Sequence, residues 1–307
     1  MNTRQAIIIA TYILLLVGLS ACSSSGAGIP TQTVTLSTPS VTATTIPSAI
    51  PATFTPSPIP ATATPTPYTC RNENGRVEKD VVETTKPPQE FLIYLPPCYE
   101  SSGNLHFPVL YLLHGQTYTD DQWVRLGVPN IADKLIHRGE IVPFVIVFPD
   151  DRYWNLEAGS GFGSRFINDL IPYVDKNYRT LADRDHRSLG GLSRGGGWTI
   201  ELGFAHPELF GALGLHSPAI KVKDGPFLEK MIQALPERDR PLLWLDVGDV
   251  DSELTSISAL EEMLTSNNYI HEFHGYPGAH TEDYWGDHAE EYLRWYAQRW
   301  MEIPAEQ

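Results

Sequence analysis

The sequence predicts an α/β fold, a mostly parallel sheet with helices on both faces, preceded by a disordered linker rich in proline and threonine. Short continuous apolar runs, which are typical of strands buried on both faces, recur after residue 70. Stretches with the helical period separate these runs, and such alternation is typical of a parallel sheet with crossover helices. Between residues 23 and 69 the sequence is dominated by Thr, Pro, Ser and Ala and carries no charge, so it is expected to stay outside the folded domain.

Residues 1–22 have the pattern of a targeting segment. Arg4 precedes an apolar run at residues 6–19, which is short for a membrane span, so a signal peptide is predicted rather than a permanent transmembrane helix. The run ends in Leu19-Ser20-Ala21-Cys22, which resembles the bacterial lipobox and implies cleavage before Cys22 and lipid attachment to its sulfur. The alternative is a plain signal peptide with a chance cysteine. We therefore expect an exported protein, lipid-anchored to the outer face of a bacterial membrane, at the cell surface or in the periplasm.

Residues 23–69 are predicted to be a disordered linker, because proline lacks a backbone donor and fixes φ. Residues 70–307 are predicted to form one domain. With Cys22 assigned to lipid, Cys70 and Cys98 remain, and an oxidising compartment predicts a disulfide between them. This bond would fix the start of the domain to the end of an early strand; the alternative is two unpaired thiols.

The charge of the chain bears on its partners. The 307 residues carry a net charge of −15, with a pI near 5.0. An acidic domain repels phosphate backbones, which excludes nucleic acid as an expected partner. Seven Trp and fourteen Tyr suit a cleft that handles carbohydrate, although aromatic residues also fill cores. The oligomeric state is left open by the sequence.

The first half of the predicted domain begins with an antiparallel pair of strands, and buried strands and helices then alternate. In chain order the predictions are strands at 77–84, 89–95, 107–113 and 143–148, and helices at 128–137 and 162–178. The run 107–113 is continuously apolar, as expected for a strand buried on both faces. Pro149-Asp150-Asp151 ends the run 143–148. The helix at 162–178 is amphipathic because Phe166, Leu170 and Val174 share one face.

The second half continues the alternation. The predictions are strands at 187–189, 210–215, 241–247 and 269–276, and helices at 198–205 and 290–300. The last helix carries Tyr292, Trp295, Tyr296 and Trp300 on one side, which indicates the face that packs on the sheet. Pro277 and Gly278 end the final strand.

A motif for nucleophilic catalysis lies between the strand at 187–189 and the helix at 198–205. Gly191-Leu192-Ser193-Arg194-Gly195 reads as G-x-S-x-G, the nucleophile elbow of an α/β-hydrolase. The turn needs residues without a Cβ on either side of the serine, because the chain passes close to itself there. A short match of this kind also occurs in ordinary turns, but the strand–turn–helix setting is what the elbow requires. Ser193 is therefore the predicted nucleophile.

A serine hydroxyl needs a base and a third group that orients the base. In α/β-hydrolases these follow in the order Ser, acid, His. The strand at 241–247 contains Asp246, and Asp249 and Asp251 follow in the loop beyond it. Loop position alone leaves Asp249 and Asp251 as alternatives for the acid.

The predicted base is His280, on the loop after the last strand. Its rivals are His271, His274 and His288. His271 and His274 lie three apart on the predicted strand, so they point to opposite faces and make a poor metal pair. His288 is expected to be solvated at the start of the final helix. No metal ligand set is predicted.

Two backbone amides are expected to stabilise the oxyanion of the tetrahedral intermediate. One is the amide of Arg194, the residue after the nucleophile. The other lies on the loop after residue 113, in His114-Gly115-Gln116, where the amide of Gln116 is the predicted donor. A strand-ending turn at His114-Gly115 is compatible with this role.

Taken together, these segments resemble the putative esterase family, which includes esterase D, feruloyl and acetyl-xylan esterase modules, enterochelin esterase and the mycolyltransferases. The resemblance covers roughly residues 75–300 and rests on Leu112-Leu113-His114-Gly115 with Trp123, Leu170-Ile171-Pro172-Tyr173, Gly191 to Gly196, Gly248-x-x-Asp251, and His280 with Trp285. The family's G-x-x-D motif falls on Gly248 and Asp251, which favours Asp251 over Asp249 as the acid. The family's terminal histidine falls on His280. Arg194 departs from the family, where many members carry Met, and is expected to change the charge of the pocket.

The resulting hypothesis is an exported serine carboxylesterase that needs no cofactor or metal, acting through an acyl-enzyme on Ser193. Its substrates are expected to be small-molecule or carbohydrate esters, such as acetyl or feruloyl esters. One alternative is an acyltransferase of the mycolyltransferase kind, and another is a non-catalytic surface binder on a hydrolase fold. Residues 148–154 are expected either to line the acyl or sugar pocket or to form a structural loop.

Overall fold

The computed structural model describes residue 70 and residues 73–151, 161–220 and 224–302 of the chain. Within these ranges eight strands form one sheet: β1 (Arg76–Val82), β2 (Gln89–Leu95), β3 (Val109–Leu113), β4 (Val145–Pro149), β5 (Arg187–Leu192), β6 (Ala212–His216), β7 (Leu242–Gly248) and β8 (Glu272–Tyr276). Their spatial order is β1-β2-β4-β3-β5-β6-β7-β8. Strand β2 is antiparallel to its neighbours β1 and β4, and the other pairings are parallel. The predicted opening pair and the mostly parallel sheet are confirmed.

Helices cover both faces of this sheet. They are α1 (Gln122–Arg125), α2 (Val128–Arg138), α3 (Phe162–Arg165), a π-helical segment (Phe166–Leu170), α4 (Ile171–Asn177), α5 (Arg194–Ala205), α6 (Gly225–Ala234), α7 (Leu254–Ser266) and α8 (Glu282–Glu302). One apolar core joins the sheet to α3, α4, α5, α6 and α7. The other core joins the opposite face of the sheet to α1, α2 and α8. The fold is therefore the α/β-hydrolase arrangement that the sequence predicts.

The predicted helix at 162–178 is present, but its middle turns have π-helical hydrogen bonding. Phe166, Leu170 and Val174 all face the core, so the amphipathic pattern identified the buried face correctly. The wider π turn changes the hydrogen-bond spacing without breaking the run, and side-chain periodicity does not resolve this difference.

Helices α1, α6 and α7 and the first parts of α5 and α8 are additions to the sequence prediction. Helix α8 begins at Glu282 rather than at residue 290. Two acidic residues, Glu282 and Asp283, occupy its first turn, where a carboxylate stabilises the positive end of the helix dipole. The expectation that His288 is solvated at the start of this helix is wrong. It lies inside α8, half-buried, with its ring stacked on Tyr276 at a centroid distance of 4.1 Å.

Cys70 and Cys98 form a disulfide, with their Cα atoms 5.9 Å apart. The bond joins the start of the domain to the segment after β2, as predicted. The predicted signal peptide at 1–22, the lipidation site at Cys22 and the linker at 23–69 lie outside the described residues. Across the ranges that are described, none of the helices combines the length and the apolar character that crossing a bilayer requires.

Candidate active site

Ser193 lies at a sharp turn between β5 and α5. Its backbone has φ 52° and ψ −119°, a conformation that non-glycine residues rarely adopt. The flanking glycines permit the turn: a Cβ on Gly191 would lie 2.5 Å from the carbonyl carbon of Gly195, and a Cβ on Gly195 would lie 2.4 Å from the carbonyl oxygen of Leu113. The turn thus has the geometry that the G-x-S-x-G spacing predicts, with the serine at its apex.

The structure brings Ser193, His280 and Asp251 together at the carboxyl ends of β5, β7 and β8. The Nε2 of His280 lies 2.8 Å from the Oγ of Ser193. The Nδ1 of His280 lies 3.0 Å from each carboxylate oxygen of Asp251. Because the carboxylate accepts from Nδ1–H, Nε2 carries the lone pair and accepts from the serine hydroxyl. This tautomer is the one that can remove the serine proton.

Asp251 sits in an environment that favours its ionised form. Its side chain is fully buried, which by itself raises the pKa of the carboxyl. Hydrogen bonds from His280 and from the backbone N–H of Glu253 outweigh this effect, so the pKa of Asp251 lies below its ordinary value. A carboxylate that is ionised at neutral pH beside the ring favours the imidazolium that forms when His280 takes a proton.

The other two aspartates of this region have different partners. The Oδ1 of Asp249 accepts the backbone N–H of Gly278 at 2.9 Å, on an exposed loop. Asp246 lies within β7 with its side chain fully buried. Of the two loop candidates, Asp251 is the one hydrogen-bonded to His280. The side chain of Asp249 instead ties the loop after β7 to the loop after β8.

Asp246 is the centre of a buried polar network that the sequence did not reveal. Its Oδ1 accepts from the Nε1 of Trp244 and contacts the Nδ1 of His216, both at 2.8 Å. Its Oδ2 accepts from the hydroxyls of Tyr284 at 2.9 Å and Tyr292 at 3.0 Å. The network therefore ties α8, which follows the loop that carries His280, to strands β6 and β7.

The rival histidines also have other contacts. The Nδ1 of His271 lies 2.7 Å from the carbonyl oxygen of Tyr269. The ring of His274 stacks on Trp244 with a centroid distance of 3.7 Å. The strand predicted at 269–276 included His271, but β8 begins after it, at Glu272.

The loop after β3 crosses the nucleophile elbow. A Cβ on Gly115 would lie 3.6 Å from the Cβ of Ser193, so the loop backbone passes close to the serine. The Gly115 N–H donates to the Oε1 of Gln122 at 2.8 Å. The Nδ1 of His114 lies 2.7 Å from the Gly115 carbonyl oxygen, and its Nε2 accepts from the backbone N–H of Asp151 at 2.8 Å. Gln116 follows, exposed, and carries the next amide along the loop.

Arg194, the departure from the family pattern, forms an ion pair with a buried carboxylate at this site. Its Nη2 lies 2.5 Å from the Oδ2 of Asp151, and the Nε1 of Trp198 donates to the same oxygen at 2.7 Å. Burial raises the pKa of Asp151 despite these two partners. Asp150 and Asp151 are both buried, whereas residues 152–154 of the predicted pocket segment lie outside the described ranges.

Several side chains that shape the site carried no sequence signal of their own. Gln122 begins a helix of four residues, too short for periodicity to mark. Trp198 was identified only as the start of the predicted helix at 198–205. Gln122 contacts residues 7 and 160 positions away, and Trp198 contacts a residue 47 positions away. Register could have identified His216 and Asp246 as neighbours, since they are paired residues on β6 and β7.

The family model described as "Putative esterase" matches residues 83–296. An endo-1,4-beta-xylanase/feruloyl esterase of Xylanibacter ruminicola is 30% identical over 206 residues, which is 62% of this chain and 28% of that relative. Two esterases of Mycobacterium tuberculosis are each 32% identical over 133 residues, again across 28% of their length. The chain thus spans less than a third of these curated relatives.

Solved structures share the fold. A ferulic acid esterase superposes with a TM-score of 0.68 at 24% identity, covering 74% of this chain and 99% of the other. A feruloyl esterase module from Clostridium thermocellum gives 0.65 at 20% identity, with 80% and 96% coverage. An S-formylglutathione hydrolase from Staphylococcus aureus gives 0.62 at 17% identity, with 73% and 98% coverage. At these identities the likeness establishes the fold.

Proposed function

The chain belongs to the putative esterase family, and from this premise we propose that it is a serine esterase that hydrolyses carboxylic esters through an acyl-enzyme on Ser193. The observation that carries the proposal is the 2.8 Å contact between the Nε2 of His280 and the Oγ of Ser193, with Asp251 on the opposite ring nitrogen. A base at this distance activates a hydroxyl that is otherwise a weak nucleophile.

The reaction has two halves. The Oγ of Ser193 attacks the ester carbonyl while His280 takes the hydroxyl proton, and the backbone amides of Arg194 and Gln116 bind the oxyanion. The C–O bond of the ester then breaks, and the leaving alkoxide takes the proton from His280. Water enters, gives a proton to His280 and attacks the acyl carbonyl. Collapse of the second intermediate releases the acid and returns the proton to Ser193.

The substrate class that we propose is an ester on a plant polysaccharide, with feruloyl or acetyl as the acyl group. The support is the name of a relative at 30% identity, an endo-1,4-beta-xylanase/feruloyl esterase, together with the ferulic acid esterases among the structural neighbours. A panel of acetyl, butyryl, feruloyl and S-formylglutathione esters tests this proposal on the full chain. The highest kcat/KM is expected for feruloyl or acetyl esters of sugars. A preference for S-formylglutathione would contradict the substrate class but not the reaction.

Hydrolysis of p-nitrophenyl acetate tests the reaction itself. We expect activity in the wild-type chain and a loss of at least about 10⁴-fold in Ser193→Ala. A fluorophosphonate probe is expected to label the wild type and not the variant. A wild type that neither hydrolyses esters nor takes the probe would contradict the proposal and favour a binding domain. Product that forms only when a sugar hydroxyl is supplied would indicate an acyltransferase.

We also propose that the domain is exported and tethered by lipid at Cys22, with residues 23–69 as the spacer. The support is the order of the N-terminal sequence: Arg4, an apolar run, and Leu19-Ser20-Ala21-Cys22 at its end. In a bacterial host, the wild-type chain is expected in the membrane fraction and Cys22→Ala outside it. Mass spectrometry of the mature N-terminal peptide would identify the lipid. An unmodified Cys22 in the mature protein would contradict the tether.

A further inference from the structure

Gln122 lies fully buried between the loop that carries Gln116 and the first turn of α8. Its Oε1 accepts the N–H of Gly115 at 2.8 Å, and its Nε2 donates to the Oε1 of Glu282 at 3.1 Å. An N–H requires an acceptor and a carboxylate requires a donor, so the two partners fix which end of the side-chain amide faces which. One side chain thus joins the loop after β3 to the start of α8.

The carboxylate of Glu282, which accepts from Gln122, is held by further hydrogen bonds. Both terminal nitrogens of Arg125 donate to the Glu282 carboxylate, at 3.0 and 3.3 Å. The Nε of Arg125 donates to Asp121 at 3.2 Å. A two-point contact between guanidinium and carboxylate fixes orientation as well as distance. Glu282 follows His280 by two residues, so the connection ends beside the loop of the proposed base.

At the loop after β3, the hydrogen bond from Gly115 to Gln122 fixes the direction of the peptide unit between His114 and Gly115. The Gly115 N–H is committed to Gln122, so this amide is not directed at an oxyanion. The Gly115 carbonyl contacts the Nδ1 of His114 at 2.7 Å. Because a trans peptide is planar, the Gln116 N–H points opposite to that carbonyl, and its direction is fixed as well. Gly115 itself lies close to Ser193, since a Cβ on it would be 3.6 Å from the Cβ of the serine.

We propose that Gln122 is a positioning residue of the esterase, which holds the Gln116 amide and the His280 loop at one spacing around the ester carbonyl. This inference rests on the proposed function. Gln122 touches no substrate and acts through Gly115 and Glu282. A hydrogen-bond donor stabilises the oxyanion only if its position is set before the charge develops. Loss of Gln122 therefore reduces the stabilisation of the transition state and leaves the binding of the uncharged ester largely unchanged.

The first test compares kcat and KM for p-nitrophenyl acetate in the full chain. In Gln122→Leu, kcat is expected to fall by about 10- to 100-fold, as for a displaced or lost oxyanion donor. The oxyanion forms in both acylation and deacylation, so both steps slow and KM is expected to change by less than about threefold. The matched control is Gln233→Leu. Gln233 donates to Glu229 on the exposed side of α6, and its loss is expected to leave kcat unchanged.

The second test exchanges the two ends of the hydrogen bond. Gln122→Glu keeps the acceptor for the Gly115 N–H but places a carboxylate oxygen against Glu282, so kcat is expected to fall. In the double variant Gln122→Glu/Glu282→Gln the donor returns from the opposite side, and most of the lost kcat is expected to return. General damage to packing gives no such recovery, because the double variant carries more changes than the single one.

The outcomes separate this inference from the function on which it rests. A wild-type kcat in Gln122→Leu, or a double variant as slow as Gln122→Glu, overturns the positioning role while Ser193-dependent hydrolysis persists. If Gln122→Leu does not fold, the exchange pair decides. A wild type without Ser193-dependent hydrolysis or fluorophosphonate labelling overturns the function and this inference together.

Discussion

The guanidinium of Arg194 and the carboxylate of Asp151 form an ion pair beside the proposed nucleophile, with Nη2 2.5 Å from Oδ2. The Asp151 side chain is only 7% exposed, and burial raises its pKa even with Arg194 and Trp198 as partners. Burial also lowers the pKa of Arg194. The pair links the residue after the nucleophile to the segment that follows β4, so the charge of Arg194 is balanced at the site.

Arg194→Met is expected to lower the free energy of unfolding by about 2 to 4 kcal/mol, because it leaves a buried carboxylate without its cation. Arg194→Met/Asp151→Asn is expected to recover much of that loss, since the unpaired charge is then gone. Urea denaturation of the wild type, the two single variants and the double variant measures the coupling. If the losses of unfolding free energy in the two single variants add up to the loss in the double variant, the ion pair contributes nothing of its own.

Asp251→Asn is expected to lower kcat by about 10³- to 10⁴-fold, because an amide does not stabilise the imidazolium and favours the wrong tautomer of His280. Asp249→Asn is the matched control. Its Oδ1 accepts a backbone N–H, which an asparagine oxygen also accepts, so near wild-type kcat is expected. Steady-state hydrolysis of p-nitrophenyl acetate compares the two. A larger loss in Asp249→Asn than in Asp251→Asn would exchange the two proposed roles.

The candidate site was predictable from sequence because of one topological rule. The carboxyl ends of parallel strands meet at one edge of a sheet, so Ser193, Asp251 and His280 were expected together once three strands were placed. The rule did not choose between Asp249 and Asp251, since both follow β7 in the same loop. The resemblance to a family motif made that choice, and the hydrogen bond from His280 to Asp251 agrees with it.

Other features depend on contacts that one-dimensional patterns do not record. The partners of Asp246 come from β6, β7 and α8, and the partners of Gln122 come from segments 7 and 160 residues away. Helix α7 was detectable, because Ile257, Leu260 and Leu264 recur at helical spacing and are buried. Several strands begin or end one to three residues away from the predicted positions, because turns and hydrogen bonds, rather than the apolar runs, determine where a strand ends.

Asp246→Ala is expected to lower the free energy of unfolding by about 3 to 5 kcal/mol, because it removes the shared acceptor of several buried donors. Trp244, Tyr284 and Tyr292 each donate to this carboxylate. Thermal unfolding at neutral pH measures the loss. Asp287→Ala, at an exposed position of α8, is the control and is expected to change stability by less than about 0.5 kcal/mol. Equal melting temperatures for the two variants would show that the network does not stabilise the fold.

The lowered pKa of Asp251 predicts how the stability of the domain depends on pH. Burial raises the pKa of this carboxyl, but hydrogen bonds from His280 and the N–H of Glu253 lower it further, below its ordinary value. A carboxyl with a lowered pKa stabilises the folded state fully above the unfolded pKa of about 3.9, and this contribution is lost as the pH falls through the folded pKa. The stability difference between wild type and Asp251→Asn is therefore expected to persist from neutral pH to about pH 4 and to narrow below it. Urea denaturation at a series of pH values measures this difference in the free energy of unfolding. A difference that widens below pH 4 would mean that burial, rather than the hydrogen bonds, dominates the pKa of Asp251.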